Sequence, residues 1–138
     1  MTVGLDTNVL ARYYIDDPQD SSAQSQREAA RRLIDSGQPL MVCKTVLLEL
    51  EWVMRGYYKF SASEVCAVMH HLLGSAHIAV EDRDTVVLAL AHADAGIDFA
   101  DAMHHASYRS CQRLASFDDK KFMRRAQNLG LVPTVSAP

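Results

Sequence analysis

Short apolar runs alternate along the chain with longer segments whose apolar residues recur at helical spacing. The apolar runs, which are typical of strands, cover residues 1–5, 40–43, 77–80 and 114–117, with a further edge strand at 132–135. Strands that alternate with helices are the pattern of a parallel sheet covered by helices. The sequence therefore predicts an α/β fold.

Helix boundaries are marked by polar residues that suit the ends of helices. Thr45 is placed to cap the helix with the broadest apolar stripe, and Ser61 with Glu64 has the spacing of a capping box. Gly37 and Gly96 are predicted to end helices. Helices are expected over residues 9–15, 22–36, 45–57, 61–73, 82–96, 98–113 and 118–129.

Length and composition narrow the class of protein. A chain of 138 residues fits one domain, because chains usually divide only above about 250 residues. No apolar stretch approaches the roughly 18 residues that a membrane helix needs. The start MTVGLDTN has no basic segment followed by a long apolar one. We therefore expect a single globular domain, residues 1–138, located in the cytoplasm.

Cysteine and histidine chemistry is not favoured by the spacing of these residues. Cys43, Cys66 and Cys111 are odd in number and lack CxxC spacing, which predicts buried thiols. The pairs His70–His71 and His104–His105 are helix neighbours that point about 100° apart, whereas a helical metal pair needs a spacing near four. All six histidines are interpreted as surface or core-edge packing.

The charge of the chain is unevenly distributed. The net charge is −3, yet residues 109–125 carry six basic residues against two acidic ones. This segment is either a solvated helix face or a strip that neutralises a phosphate backbone. The six basic residues are Arg109, Arg113, Lys120, Lys121, Arg124 and Arg125.

Five acidic residues recur where an apolar run gives way to a helix. In parallel sheets, ligands bind outside the carboxyl ends of the strands, where distant carboxylates can converge. Hard cations such as Mg²⁺ prefer oxygen ligands. The pattern predicts a metal site formed by Asp6, Glu49, Asp98, Asp101 and Asp118.

Helix capping is the alternative explanation for four of these acids. Asp6, Asp98 and Asp118 occupy positions suited to N-caps, and Asp101 lies in a first helical turn, where the helix dipole favours negative charge. Glu49 differs, because it lies within a helix beside an apolar stripe, where an isolated carboxylate is costly to desolvate. The helical wheel places Glu49 and Glu51 equally far from that stripe and leaves the choice between them open.

The same helix carries a second apolar patch. Leu48 and Trp52 are four residues apart on its outer face, so their side chains are neighbours. Such a patch can meet another helix or another chain. A homodimer contact at this patch is one hypothesis.

Four segments together resemble one known family. They are GLDTNVLARYYIDD at 4–17, TVLLELEWVMRG at 45–56, GIDFADAMHHA at 96–106 and ASFDDKKF at 115–122. In this order they resemble the PIN domain family, and in particular the VapC-type toxins of prokaryotic toxin–antitoxin pairs. The resemblance implies a three-layer α/β/α sandwich around a central parallel sheet of four to five strands. It also implies a magnesium-dependent ribonuclease, with Mn²⁺ as an alternative ion, and a cognate antitoxin that places an arginine among the carboxylates.

Matching positions to the family assigns roles to the acids. Asp6, Glu49, Asp101 and Asp118 match its four acids, which chooses Glu49 over Glu51, and Asp98 supports Asp101. By similarity, three small polar residues orient the acids or water: Thr7, Asn8 and Ser116. Because Asp119 directly follows Asp118, it competes for the fourth position.

Two rival functions use the same residues differently. Asp6 follows a first strand as the nucleophile of a phosphotransfer domain would, although Asn8 stands where such a site needs a second aspartate. In a catalytically silent RNA-binding domain, the basic residues bind RNA and the acids only cap helices.

Overall fold

The computed structural model describes all 138 residues, and their contacts group them into two compact units. The first unit is Met1–Arg83 and the second is Asp84–Pro138. The first contains β1 (Val3–Gly4), α1 (Thr7–Tyr14), α2 (Ala23–Ile34), β2 (Leu40–Val42), α3 (Lys44–Trp52), a π-helical turn (Val53–Tyr57), α4 (Ala62–Gly74) and β3 (Ile78–Val80). From Arg83 onward lie α5 (Arg83–Asp94), α6 (Phe99–Ser107), β4 (Arg113–Ala115), α7 (Phe122–Asn128) and β5 (Thr134–Ser136).

The first unit is built on a parallel three-stranded sheet in the order β1-β2-β3. Leu40 is the register partner of both Val3 and Ile78, so β2 lies in the centre. α1 follows β1 and α3 follows β2, so both helices begin beyond the carboxyl ends of neighbouring parallel strands. The start of α1 therefore lies close to α3.

Alternating burial along the strands explains the core of the first unit. Leu40 and Val42 are fully buried on β2, whereas Met41 between them is exposed. This period of two is that of a strand with one face on the core. Helices complete the core with fully buried side chains at Leu10, Ile34, Leu47, Leu50, Met54, Val65, Met69 and Leu72.

The predicted capping box at the start of α4 is confirmed. The Ser61 hydroxyl accepts a hydrogen bond from the Glu64 backbone N–H at 3.1 Å, and the Glu64 carboxylate accepts one from the Ser61 N–H at 2.9 Å. Gly37 and Gly96 have φ of +81° and +111°, which suits the predicted helix ends because only glycine adopts this region freely.

The second unit contains a two-stranded parallel pair, β4-β5, with Leu114 opposite Val135. Its core includes His105, which is fully buried and whose ring Nε2 donates to the Pro133 carbonyl oxygen at 2.8 Å. The prediction that every histidine lies at the surface or core edge is wrong for His105. Its Nδ1 and that of His92 are buried without a hydrogen-bond partner, and the two rings meet edge to face.

The α/β class and the parallel strands are confirmed, but the sheets are smaller than predicted. The strands pair as three and two, in place of one sheet of four to five. β1 is also shorter than the predicted residues 1–5, and Val3 and Gly4 are exposed. Strand pairing depends on partners distant in sequence, which local patterns do not reveal.

Several helix boundaries also differ from the predictions. α3 begins at Lys44 with Cys43 at its N-cap, so Thr45 lies inside the helix. α6 ends at Ser107, and Arg113, its predicted last residue, pairs with Thr134 in the second sheet. α7 begins at Phe122, four residues after Asp118.

The three cysteines are free thiols in different surroundings. Cys66 is buried as predicted, Cys43 is half-buried, and Cys111 is exposed, which contradicts the prediction of a buried thiol there. Cys111 follows the early end of α6, where the chain turns toward β4. None of the helices combines the length and apolar character needed to cross a membrane.

Candidate active site

The first unit brings Asp6 and Glu49 together through one threonine. Asp6 is the N-cap of α1, and its Oδ1 accepts a hydrogen bond from the Thr7 N–H at 2.8 Å. The buried Thr7 hydroxyl donates to Oε1 of Glu49 on α3. Thr7 therefore links the start of α1 to the second turn of α3. We refer to Asp6 and Glu49 as the acidic pair.

The acidic pair faces a cavity of about 460 Å³ in the first unit. Thr7 and Asn8 line it together with both carboxylate residues, and Arg12 and Trp52 contribute a cation and an aromatic ring. Both carboxylates are exposed, whereas Thr7 is 6% exposed. A fixed, buried hydroxyl therefore orients a carboxylate that solvent and ligands can reach.

The structure distinguishes Glu49 from Glu51. Glu49 lines the cavity with Asp6, whereas Glu51 is buried and its Oε1 lies 4.0 Å from Nη1 of Arg55. Glu49, and not Glu51, is therefore placed to contact a ligand in the cavity, and its role as the family's second acid stays a prediction. The desolvation argument for Glu49 was wrong, because the buried carboxylate of this helix is that of Glu51.

Arg12 is a cavity residue that the sequence reasoning missed. Its guanidinium donates to the Asp20 carboxylate at 2.6 Å and to the Gln26 side-chain oxygen at 2.8 Å. Bonds from Ser22 and from Arg12 hold the pKa of Asp20 at about 2. The loop between α1 and α2, which carries Asp20, therefore anchors a cation at the cavity.

The second unit contains three acidic residues, Asp98, Asp101 and Asp118, which we call the acidic trio. Asp98 is the N-cap of α6, and its Oδ2 accepts a hydrogen bond from the Asp101 N–H at 3.3 Å. Burial raises the pKa of the Asp101 carboxyl, and the nearby carboxylates of Asp98 and Asp118 raise it further. His104 and Arg125 lower this pKa and so offset part of the increase. Burial and the neighbouring carboxylates thus disfavour the ionised form of Asp101.

Asp118 begins the turn that leads into α7. Its Oδ1 accepts hydrogen bonds from the Lys121 N–H at 3.1 Å and the Phe122 N–H at 3.3 Å. The Ser116 hydroxyl accepts from the Asp118 N–H at 3.0 Å. Ser116 thus fixes the backbone of Asp118, and Asp118 is among the carboxylates that raise the pKa of Asp101. These contacts favour Asp118 over Asp119 as the fourth acid.

The capping explanation is correct for Asp6 and Asp98, which are the N-caps of α1 and α6, whereas Asp118 caps the turn before α7, whose N-cap is Lys121. Each accepts backbone N–H bonds at the start of a helix or of the turn before it. Each cap uses one carboxylate oxygen. Capping accounts neither for the Thr7–Glu49 bond nor for the charge repulsion at Asp101.

The chain matches a known domain family. A family model described as PIN domain matches residues 3–128, which is most of the chain and includes all five acids. The chain belongs to the PIN domain family. A search of curated proteins found no match. The family gives the chain a nuclease-type fold, and PIN domain nucleases typically use divalent metals.

The donor atoms of this PIN domain suit a hard divalent cation. The acidic pair and trio, together with Thr7, Asn8 and Ser116, offer oxygen atoms, which Mg²⁺ and Mn²⁺ prefer. No group of three or more histidine, cysteine, aspartate or glutamate side chains is gathered closely enough to hold a metal ion. The chemistry of the donors fits, and the shared metal site stays a prediction.

Proposed function

We propose that this PIN domain is a magnesium-dependent endoribonuclease that hydrolyses RNA phosphodiester bonds. The observation that carries the proposal is the acidic pair, because Thr7 orients Glu49 beside Asp6 in one open cavity. Two exposed carboxylates at the carboxyl edge of a parallel sheet suit cation binding better than structural stability. The repulsion at Asp101 gives independent support from the second unit.

The proposed roles of the acids follow the family's pattern. Asp6 and Asp101 would hold the principal ion, Glu49 and Asp118 would hold a second ion or orient the attacking water, and Asp98 caps the first turn of α6. A bound Mg²⁺ would lower the pKa of its water and stabilise charge on the phosphate and the leaving oxygen. The Thr7 hydroxyl donates a hydrogen bond to the Glu49 carboxylate and so keeps it oriented at the cavity. Ser116 holds the backbone that carries Asp118.

Basic residues of the second unit support an RNA substrate. Arg109 and Arg113 are occupied within the chain, since they donate to Thr85 and Ser136 at 2.6 and 3.1 Å. Lys120, Lys121 and Arg124 are exposed. Only part of the basic segment is therefore proposed to contact phosphates, and the rest stabilises the fold.

The toxin role and its partners are further proposals. We infer a cognate antitoxin from the VapC-type resemblance, and Asp6 and Glu49 offer an inserted arginine two exposed carboxylates. Co-purification with a small protein encoded beside this chain tests that role, and a harmless chain purified alone would contradict it. A homodimer through Leu48 and Trp52 is an alternative use of that apolar patch, and a monomer in light scattering at micromolar concentration would contradict it.

The nuclease proposal is tested by incubating the protein with total RNA, with and without Mg²⁺, and mapping the cut ends. Asp6→Asn should abolish cleavage without unfolding, whereas Glu28→Gln, a change to an exposed carboxylate on α2, should leave it intact. Full activity of Asp6→Asn would contradict the proposal. Magnesium-insensitive binding without cleavage would favour the silent RNA-binding domain, and a phosphorylated Asp6 would favour phosphotransfer.

A further inference from the structure

Trp52 is an exposed aromatic side chain beside the acidic pair. It is the single tryptophan of the chain, and 69% of its surface is exposed to solvent. It is the last residue of α3 and lines the same cavity as Asp6 and Glu49. Tryptophan is enriched at binding interfaces, so its exposure beside polar groups in a cavity makes it available for contact with a ligand.

Trp52 and Glu49 lie three residues apart on α3. Residues three apart on a helix are neighbours on its surface, with Cβ atoms about 5–6 Å apart. The π-helical turn follows directly, and a Cβ built at Gly56 would lie 3.9 Å from Cε2 of the indole. The indole therefore lies over a residue without a side chain, so its flank stays open.

The rest of the cavity has the chemistry of a nucleotide site. Arg12 supplies a cation held in place by Asp20 and Gln26, and a cation attracts a phosphate. An aromatic side chain provides a surface on which any base can stack. An antitoxin segment bound at the acidic pair would also contact an exposed tryptophan, but the fixed guanidinium of Arg12 attracts a phosphate and repels an arginine.

We propose that Trp52 binds the substrate by stacking on an unpaired nucleobase close to the cleaved bond. This proposal rests on the proposed nuclease function. A base within a duplex already stacks on its neighbours, and the energy of unstacking it opposes contact with the indole. Single-stranded segments present their base faces freely.

Fluorescence provides a direct binding test, because all tryptophan emission of this chain comes from Trp52. The Asp101→Asn variant, in which the residues lining the first-unit cavity are unchanged, is titrated with a single-stranded oligoribonucleotide of mixed sequence. The same strand annealed to its complement and an abasic oligoribose phosphate are the comparisons. The single strand should quench the emission, and the other two should quench it weakly. Equal quenching by all three would overturn the proposal.

Kinetics of cleavage provide the second test. Trp52→Leu should raise KM on the order of tenfold, because stacking on an aromatic residue contributes about 1–3 kcal/mol per base. Trp52→Phe should recover most of the loss. Tyr57→Leu is the matched control, since Tyr57 is 73% exposed and does not line the cavity. An unchanged KM in Trp52→Leu, with cleavage intact, would overturn the stacking role while the nuclease proposal stands.

Two outcomes separate this proposal from its rivals. Selective quenching by single strands in a protein that cleaves no RNA would support stacking and contradict the nuclease proposal. A Trp52 emission that shifts with protein concentration in the absence of RNA, together with a dimer that Trp52→Leu converts to a monomer, would overturn stacking. Trp52 would then be a contact between two copies of the chain.

Discussion

The acidic pair of the first unit and the acidic trio of the second are held in different ways. In the pair, a buried side-chain hydroxyl, that of Thr7, fixes a carboxylate that is itself exposed. In the trio, backbone N–H groups hold Asp98 and Asp118, and Asp101 lies half-buried near both of them. The pair is organised by an attractive contact, whereas the trio brings like charges together.

The repulsion within the trio bears on the free energy of folding. Clustered carboxylates repel each other when ionised, and a divalent cation relieves that repulsion. In a metal-free protein the trio therefore opposes folding through Asp101. Removing the charge of Asp101 should slow RNA cleavage and stabilise the folded protein, which is typical of a residue retained for function.

The largest effect is expected for Asp101→Asn. RNA cleavage in Mg²⁺ should fall by at least about 100-fold, because one oxygen ligand loses its charge. At the same time the Tm of the metal-free protein at pH 7 should rise, because the burial and repulsion that raise the pKa of Asp101 no longer oppose folding. Cleavage assays and calorimetry in a chelator measure the two changes.

Asp119→Asn is the matched control for that experiment. Asp119 is exposed and directly follows Asp118, so the same change of charge is made close to the trio. It should alter neither cleavage nor Tm appreciably. A Tm that falls in Asp101→Asn would show that Asp101 is a structural residue, and loss of cleavage in Asp119→Asn would move the fourth acid from Asp118 to Asp119.

A smaller effect is expected for Thr7→Val, which alters the pair alone. The substitution keeps the shape but removes the hydroxyl that orients Glu49, so cleavage should fall about tenfold and more Mg²⁺ should be needed for half-maximal rate. Stability should fall by about 1 kcal/mol, the usual contribution of one hydrogen bond. Thr45→Val, in the first turn of α3 and exposed, is the control. Equal rates in both variants would remove the positioning role of Thr7.

Much of this arrangement was predictable from the sequence because it is local. The Asp6 and Asp98 caps and the capping box at Ser61 depend on residues within three positions of one another. The choice between Glu49 and Glu51 could not be made from the helical wheel, because it depends on the hydroxyl of Thr7, 42 residues earlier.

Other features depend on partners that no local pattern specifies. Arg12 lies on α1, and only its contact with Asp20 in the following loop fixes it as a cation at the cavity. Arg113, predicted as the last residue of α6, pairs with Thr134 in the second sheet. His105 reads as one of two adjacent polar residues, yet the Pro133 carbonyl satisfies its ring nitrogen inside the core.

The pH dependence of stability should distinguish the trio from the pair by a still smaller effect. The folded-state pKa of Asp101 is raised above its ordinary value of 3.8, so its ionised form opposes folding above the raised pKa. As the pH falls through the raised value toward 3.8, Asp101 takes up a proton and this cost disappears. The difference in Tm between the protein and Asp101→Asn, measured in a chelator, should shrink over that interval. A difference that stays constant from pH 7 to pH 3 would assign it to packing.

The smallest expected effect concerns the basic residues of the second unit. Arg124 is exposed, so Arg124→Ala should leave Tm unchanged and weaken RNA binding, with the slope of log affinity against log salt reduced by about one. Arg109 donates hydrogen bonds to Thr85 and Ala106 at 2.6 and 2.9 Å, so Arg109→Ala should lower Tm and leave the slope nearly unchanged. RNA titrations at several salt concentrations with the Asp6→Asn protein as background measure the slopes without cleavage. Equal slopes in both variants would remove the second unit's exposed cations from the RNA-binding surface and leave Arg12 as the cation to test next.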